Sequence, residues 1–404
     1  MRTSNLNRLL RHTAPHRFLL LCLPFTASCS EGSGTEPCAG LPTRTVLVYL
    51  AGDNNLEEIG RTPELLRQGW KDTGSKCLIY YDAPQAAPKL FALTIRHSDA
   101  SSVLETVEEY PEENSSSAGV FGRVLADVVR KYPSDSYGLI FASHGSGWLP
   151  CGALSDPTRT IGDDRTPGTT GGAREMEITD FAAAIPDHQF DFIIFEACLM
   201  SGIEVAYELR NKTDYLLASS AELLVPGYAP VYPTAFQYLF DTSLGVPQAL
   251  EKFAGSYFNY IDTRNGAYRS ATQSIVYTRE MDALAILAGK TTGNTHGRWD
   301  DALLGKLQHF DRPGSYGDIP ARPRYFDFGQ YMAYLAPERQ ADLDALLRKT
   351  VVWKAATPEF MAGYNGFTIL THSGLTTYIE QDEFPELNAA YKKTAWWKAT
   401  HVQK

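Results

Sequence analysis

Cys198 is the residue of this chain whose setting best suits covalent chemistry. It follows an apolar run, Phe190 to Phe195, rich in aromatic and β-branched residues, which predicts a strand buried on both faces. It precedes Gly202 to Leu209, whose apolar spacing and early glutamate predict a helix. A thiol between a strand's carboxyl end and the positive end of the next helix is biased toward thiolate, the nucleophilic form. That sheet edge is also where parallel α/β folds hold their ligands. Taken alone, a cysteine is more often a small buried hydrophobe, so the assignment needs a partner.

His144 supplies one. The run Tyr137 to Ser143 predicts another buried strand, and it delivers His144 into the turn Gly145-Ser146-Gly147-Trp148. Histidine can take the proton of a thiol and later give it to a leaving amine. Hydrolysis of an amide also requires donors for the tetrahedral oxyanion, and the backbone N–H groups of Gly145 and Cys198 are the candidates because both lie in strand-end turns. Cys151 is a rival thiol, but it opens a glycine-rich loop without a strand-to-helix setting. Trp148 reads as a packing residue.

Several further elements must hold these two strand ends in place. Residues 45–50 predict a strand that ends in the polar turn Ala51-Gly52-Asp53-Asn54-Asn55, with Asp53 or Asn54 capping a helix over 56–69. Strands are expected at 77–81, 89–96, 214–219 and 274–277, and a polar, solvated connection over 98–117. Helices are expected at 118–132, 177–185, 202–211, 233–240 and 248–260. Residues 150–175 lack apolar periodicity and read as a long exposed loop. Beyond 280 the pattern predicts helices at 281–289, 299–309, 327–335 and 341–352, and a strand at 366–370. Such alternation predicts an α/β layered fold with a mostly parallel sheet and a helix-rich C-terminal extension. No phosphate-cradling glycine motif and no paired metal-ligand spacing occurs.

Composition bounds the partners. A formal net charge of −10 over 404 residues argues against nucleic acid as a general partner. The amino terminus reads as a targeting segment: Arg2, Arg8, Arg11 and Arg17 precede the apolar run Phe18 to Phe25, which is too short to span a bilayer permanently. Thr26-Ala27-Ser28 then leads to Cys29, which resembles a bacterial lipoprotein processing site. The expected organisation is a signal and lipoprotein segment over 1–29 and a flexible tether over 30–43. A catalytic core over 44–280 and a C-terminal extension over 281–404 packing on that core complete it. Lipidation of Cys29 would anchor the protein at the bacterial cell envelope; plain secretion to the extracellular space is the alternative.

Three segments, YLAGDNNLE at 49–57, SHGSGW at 143–148 and FEACLMSGIEVAYELR at 195–210, together resemble the clostripain family of cysteine peptidases. They stand in the family's order and span the first half of the mature chain. The resemblance implies a caspase-like αβα sandwich, shared with caspases, gingipains and legumain, with His144 and Cys198 as a catalytic dyad lacking an obligatory third member. It implies cleavage of protein or peptide substrates after Arg or Lys. Family members commonly carry aspartate two residues before the nucleophile, where this chain has Glu196. Glu222, after the next strand, is a second candidate acid for the specificity pocket. Self-activation by cleavage in the loop between the histidine and the cysteine is implied too, with Arg159 or Arg165 as the site. No cofactor is required, although some relatives depend on calcium; no sequence-local calcium loop is present. A non-catalytic surface-binding lipoprotein and an acyl-transfer enzyme on the same fold are the competing functional readings.

Overall fold

The structure, a computed structural model, describes residues 44–154, 161–165, 175–292, 301–315 and 321–401. In chain order, the first half runs β1 (Thr45–Ala51), α1 (Thr62–Gly69), β2 (Lys76–Asp82), β3 (Lys89–Ile95), β4 (Ser102–Glu109), α2 (Ala118–Lys131), β5 (Tyr137–Ala142), α3 (Ile178–Ala183), β6 (Phe190–Glu196), α4 (Ile203–Glu208) and β7 (Thr213–Ala218). It continues with α5 (Tyr232–Ala235), α6 (Val246–Asp262), β8 (Thr272–Tyr277), α7 (Met281–Thr292), α8 (Asp301–Leu304), β9 (Phe326–Asp327), α9 (Phe328–Leu335), α10 (Gln340–Thr350) and β10 (Val351–Ala356). Short strands β11 (Glu359–Phe360), β12 (Phe367–Thr368) and β13 (Thr376–Thr377) precede α11 (Pro385–Tyr391) and α12 (Ala395–Thr400).

Nine strands form one sheet in the order β10-β8-β7-β6-β5-β1-β2-β3-β4. The central five, β7-β6-β5-β1-β2, are parallel, and antiparallel strands finish both edges. Alternation along β1 feeds two cores. Val46, Val48 and Leu50 pack on one face with Leu66 of α1, Tyr232 of α5 and Phe253 of α6. Leu47, Tyr49 and Ala51 pack on the other with Phe121 of α2, Phe181 of α3, Val205 of α4 and Leu284 of α7. Strands covered on both faces must be apolar throughout, which is why β1, β5 and β6 read so clearly in the sequence. The result is an αβα sandwich.

Several elements differ from expectation. Residues 98–117 are not all a solvated connection, because Ser102–Glu109 is the edge strand β4. Its exposed glutamates meet cations, with Glu109 ion-paired to Lys89 and Glu108 to Lys131, and a charged edge resists pairing with other chains. The helix expected over 56–69 starts as a 3₁₀ turn at Glu57–Arg61 whose N-cap position is Leu56, with Asn54 Oδ1 accepting the Leu56 N–H at 2.8 Å just ahead of it. The helix expected over 341–352 stops at Thr350, and β-branched Val351 and Val352 with Trp353 open β10 instead. Among the described residues of the 299–309 stretch, only Asp301–Leu304 is α-helical, and only Phe367–Thr368 of 366–370 is extended, in a hairpin outside the main sheet.

Candidate active site

Register places the chemistry. Leu50 of β1 pairs with Ala142 of β5, and Ala142 pairs with Glu196 of β6. His144 and Cys198 each lie two residues beyond that last pair, so the two strand ends carry them to the same edge side by side. Both line one pocket, walled by Leu56, Ile59 and Thr62 on one flank and Leu223, Val225, Pro226 and Gly227 on another.

Cys198 is half-buried, and the Leu223 N–H points at its Sγ from 3.4 Å. The thiol in turn lies 3.8 Å from the Leu223 carbonyl oxygen, to which it can donate, so the same residue offers Sγ both a donor and an acceptor. Leu199, the next residue, has φ of 61°, a left-handed conformation that costs a non-glycine residue about 1 kcal/mol or more. The turn is held in that shape by Leu199 N–H to Ala221 O at 2.9 Å and Ser201 N–H to Ser219 O at 3.0 Å. Facing it is Gly145, where a Cβ would stand 2.8 Å from Cys198 O and 2.9 Å from Ala197 Cβ. The two turns touch backbone to backbone, and only glycine permits that approach. Among the described residues, no hydrogen bond engages the Gly145 N–H.

His144 is buried, and its Nε2 lies 2.7 Å from Asn55 Oδ1. Asn55 belongs to the turn after β1 and was absent from the sequence-derived candidates. The only local signal for it was a polar turn at the end of a neighbouring strand.

Glu196 lines the same pocket, but its carboxylate is committed to the protein. Oε1 accepts the Tyr228 N–H at 2.7 Å and Oε2 accepts the Tyr232 hydroxyl. Burial pushes its pKa up to about 7 despite those donors. Glu222 is not among the pocket's lining residues; both its oxygens are held by the Arg312 guanidinium, at 2.6 and 2.9 Å, in a nearly buried pair. The fork-on-carboxylate geometry is the one a substrate arginine would need. Cys151 also lies away from the pocket lining, with its N–H donated to Glu177. Trp148 is buried, edge-on to Tyr378 and against Tyr391.

The loop expected to be exposed over 150–175 is buried over 161–164, whereas Gly152 and Arg165 are exposed as expected. Ile161, Asp163 and Asp164 are buried, Ile161 bridges Gly145 and Met176, and Asp164 accepts the Ser115 hydroxyl at 2.8 Å. The Arg165 side chain is exposed, yet its N–H is tied to Asp53 O at 2.8 Å. Arg159 and Cys29 lie outside the described residues. Among the described residues, no group of three or more His, Cys, Asp or Glu side chains is placed to hold a metal ion, and no helix is long and apolar enough to cross a membrane.

A mainly parallel sheet between two helical layers, with a histidine and a cysteine on adjacent strand ends, defines the caspase-like class of αβα fold. The chain belongs to the clostripain family, whose sequence profile matches residues 48–287. It is 26% identical over 290 residues to clostripain of Hathewaya histolytica, an alignment covering 64% of this chain and 52% of that relative. The chain thus spans about half the length of the curated relative it matches. Among solved structures it resembles an inactive zymogen C11 protease from Parabacteroides distasonis, with TM-score 0.73 and 29% identity over 89% of this chain and 98% of the other. It likewise resembles a secreted C11 cysteine protease from Bacteroides thetaiotaomicron in complex with an irreversible peptide inhibitor, with TM-score 0.73 and 26% identity over the same shares.

Proposed function

We propose that this protein is a cysteine endopeptidase in which Cys198 is the nucleophile and His144 the general base. The observation that carries the reading is the register, which sets the imidazole and the thiol at one sheet edge and in one pocket. His144 takes the thiol proton as Sγ attacks the peptide carbonyl carbon. The N–H groups of Gly145 and Cys198 receive the oxyanion. The tetrahedral species collapses to a thioester as the imidazolium gives its proton to the departing amine. Water, deprotonated by the same imidazole, then hydrolyses the thioester and restores the thiol.

Cleavage after Arg or Lys is the proposed specificity. The pocket is lined by Glu58 and Glu196 and by no lysine or arginine, so a substrate cation entering it meets carboxyl groups. Of these, Glu58 also meets Arg61 at 3.2 Å, and Glu196 is held by Tyr228 and Tyr232. Glu222 would join in only if Arg312 gave way. Self-cleavage between His144 and Cys198 is proposed at Arg159, since the backbone of Arg165 is tied into a buried turn. A secreted relative and the arginine-led amino-terminal segment support export, with Cys29 as the proposed lipid anchor. The steps use only side chains and backbone of the chain, so EDTA is expected to leave turnover unchanged; loss restored by calcium would add an ion to the mechanism.

Fluorogenic peptides with Arg, Lys, Asn, Asp or Ala before the scissile bond test this reading. Cys198→Ala is expected to abolish turnover and Cys151→Ala to keep it. Wild-type turnover in Cys198→Ala would end the proposal. Glu196→Gln should depress cleavage after Arg far more than after Ala, and equal losses would remove Glu196 from specificity. Intact mass should show two fragments for the wild type and a single chain for Cys198→Ala.

A further inference from the structure

The turn that follows β1 holds two adjacent asparagines with different duties. Asn54 is buried and is the turn's anchor: its Nδ2 donates to Ala51 O at 2.8 Å and Asp163 O at 3.0 Å, and its Oδ1 accepts the Leu56 N–H at 2.8 Å. The chain is pinned just before Asn54 as well, by Gly52 N–H to Asp82 O at 3.1 Å and Arg165 N–H to Asp53 O at 2.8 Å. Asn55, in contrast, is solvent-exposed, and its Oδ1 lies 2.7 Å from His144 Nε2. An amide oxygen can only accept, so Nε2 must carry the proton. In the neutral ring the lone pair then resides on Nδ1, fixing which nitrogen is the base.

We propose that Asn55 is a positioning residue for catalysis, an asparagine that holds the His144 ring in its Nε2–H tautomer and stabilises the imidazolium formed when the thiol is deprotonated. The inference rests on the Cys198–His144 reading above. It adds a third member to a dyad that sequence alone left as two residues, and it explains why so short a turn is tied down at Gly52, Asp53 and Asn54. The bond spans 89 positions in the chain and joins the ends of adjacent strands β1 and β5. It has the geometry of the orienting group that accompanies a nucleophile–base pair in acyl-transfer sites.

The test measures kcat and KM against pH for the full chain and for Asn55→Ala and Asn55→Asp, alongside the rate at which iodoacetamide alkylates Cys198. The other titratable groups lining the pocket are Glu58, Glu196 and Cys198, and all are unchanged in these variants. Asn55→Ala is expected to lower kcat about 10- to 100-fold with little change in KM, as loss of an orienting group does. Asn55→Asp keeps the acceptor and adds a charge. It should retain most of kcat and move the acid limb of the profile up by about one pH unit. Because Asn55 is exposed and Asn54 makes the turn's internal bonds, both variants should keep the wild-type melting temperature. Unchanged kcat and pH profile in Asn55→Ala, or equal losses in Asn55→Asp and Asn55→Ala, would overturn the proposal. Failure of the underlying reading would look different: Cys198→Ala would still turn over, and alkylation would not inactivate the wild type.

Discussion

Glu196 closes β6 with its carboxylate turned onto the Tyr228 N–H and the Tyr232 hydroxyl, and burial raises its pKa to about 7. The unfolded value is near 4.3, so the folded state binds the proton more tightly. The associated stability is present below the unfolded value and is lost as pH rises through about 7. Glu204, also raised to about 7, and Asp82, raised to about 8, act in the same direction. The free energy of unfolding is therefore expected to fall between pH 5 and 8.5, and Glu196→Gln should reduce that fall by about 1–3 kcal/mol, allowing for partial solvent screening, as read by urea titration at each pH. A slope unchanged in the variant would mean that the carboxylate is solvated. His144 and Cys198 could be singled out from the sequence because each follows a largely apolar strand and His144 opens a turn of glycines and serine, signals confined to a dozen positions. Asn55 on His144 and Arg312 on Glu222 could not, because their partners lie 89 and 90 positions away and nothing local marks them.

Helices matter to the site through what they press against the strand ends. The last residue of α1, Gly69, shows this: a Cβ there would stand 2.3 Å from the backbone oxygen of Tyr232 in α5, the helix that carries the hydroxyl bound to Glu196. Helix propensity alone favours alanine over glycine by up to about 1 kcal/mol. Overpacking against rigid backbone costs about 1–3 kcal/mol, so sterics should win. Gly69→Ala is expected to lower the urea midpoint, whereas a raised midpoint would show that α5 yields freely. The two strands of the main sheet that escaped the sequence reading, β4 and β10, are at its edges, and the helices α11 and α12 escaped it as well. β5 and β6 are buried on both faces over most of their length and show as mainly apolar runs, with Asp191 near the start of β6 and Glu196 at its end. β4 and β10 are half-exposed: β4 mixes Val103, Leu104 and Val107 with three glutamates and merges into the polar stretch around it, while β10 has Lys354 as its one polar residue and runs on from helix α10.

Residues beyond 280 are built into the molecule at its centre as well as its rim. β10 pairs with β8 to extend the sheet, and the Thr376 N–H donates to Ser201 O at 2.9 Å, three residues past Cys198. The Tyr378 N–H donates to Glu204 Oε1 at 2.9 Å, and Trp396 packs edge-on to both Tyr207 and Phe328. Periodicity predicts helices up to 352 but neither α12 nor its pairing with α4 and α7, since such contacts join distant segments. Shared partners make one cooperative unit, so damage at either end should be felt throughout. Trp396→Ala removes a side chain only 3% exposed and should cost about 3–5 kcal/mol. Hydrogen exchange read by mass spectrometry in increasing urea can follow β6–β7 and α11–α12 separately. In the wild type both are expected to lose protection at the same denaturant concentration, and in Trp396→Ala both should move down together. Loss of protection in α11–α12 alone, with β6–β7 unmoved, would make the C-terminal segment an independent layer and leave the turn after Cys198 to hold its strained Leu199 without it.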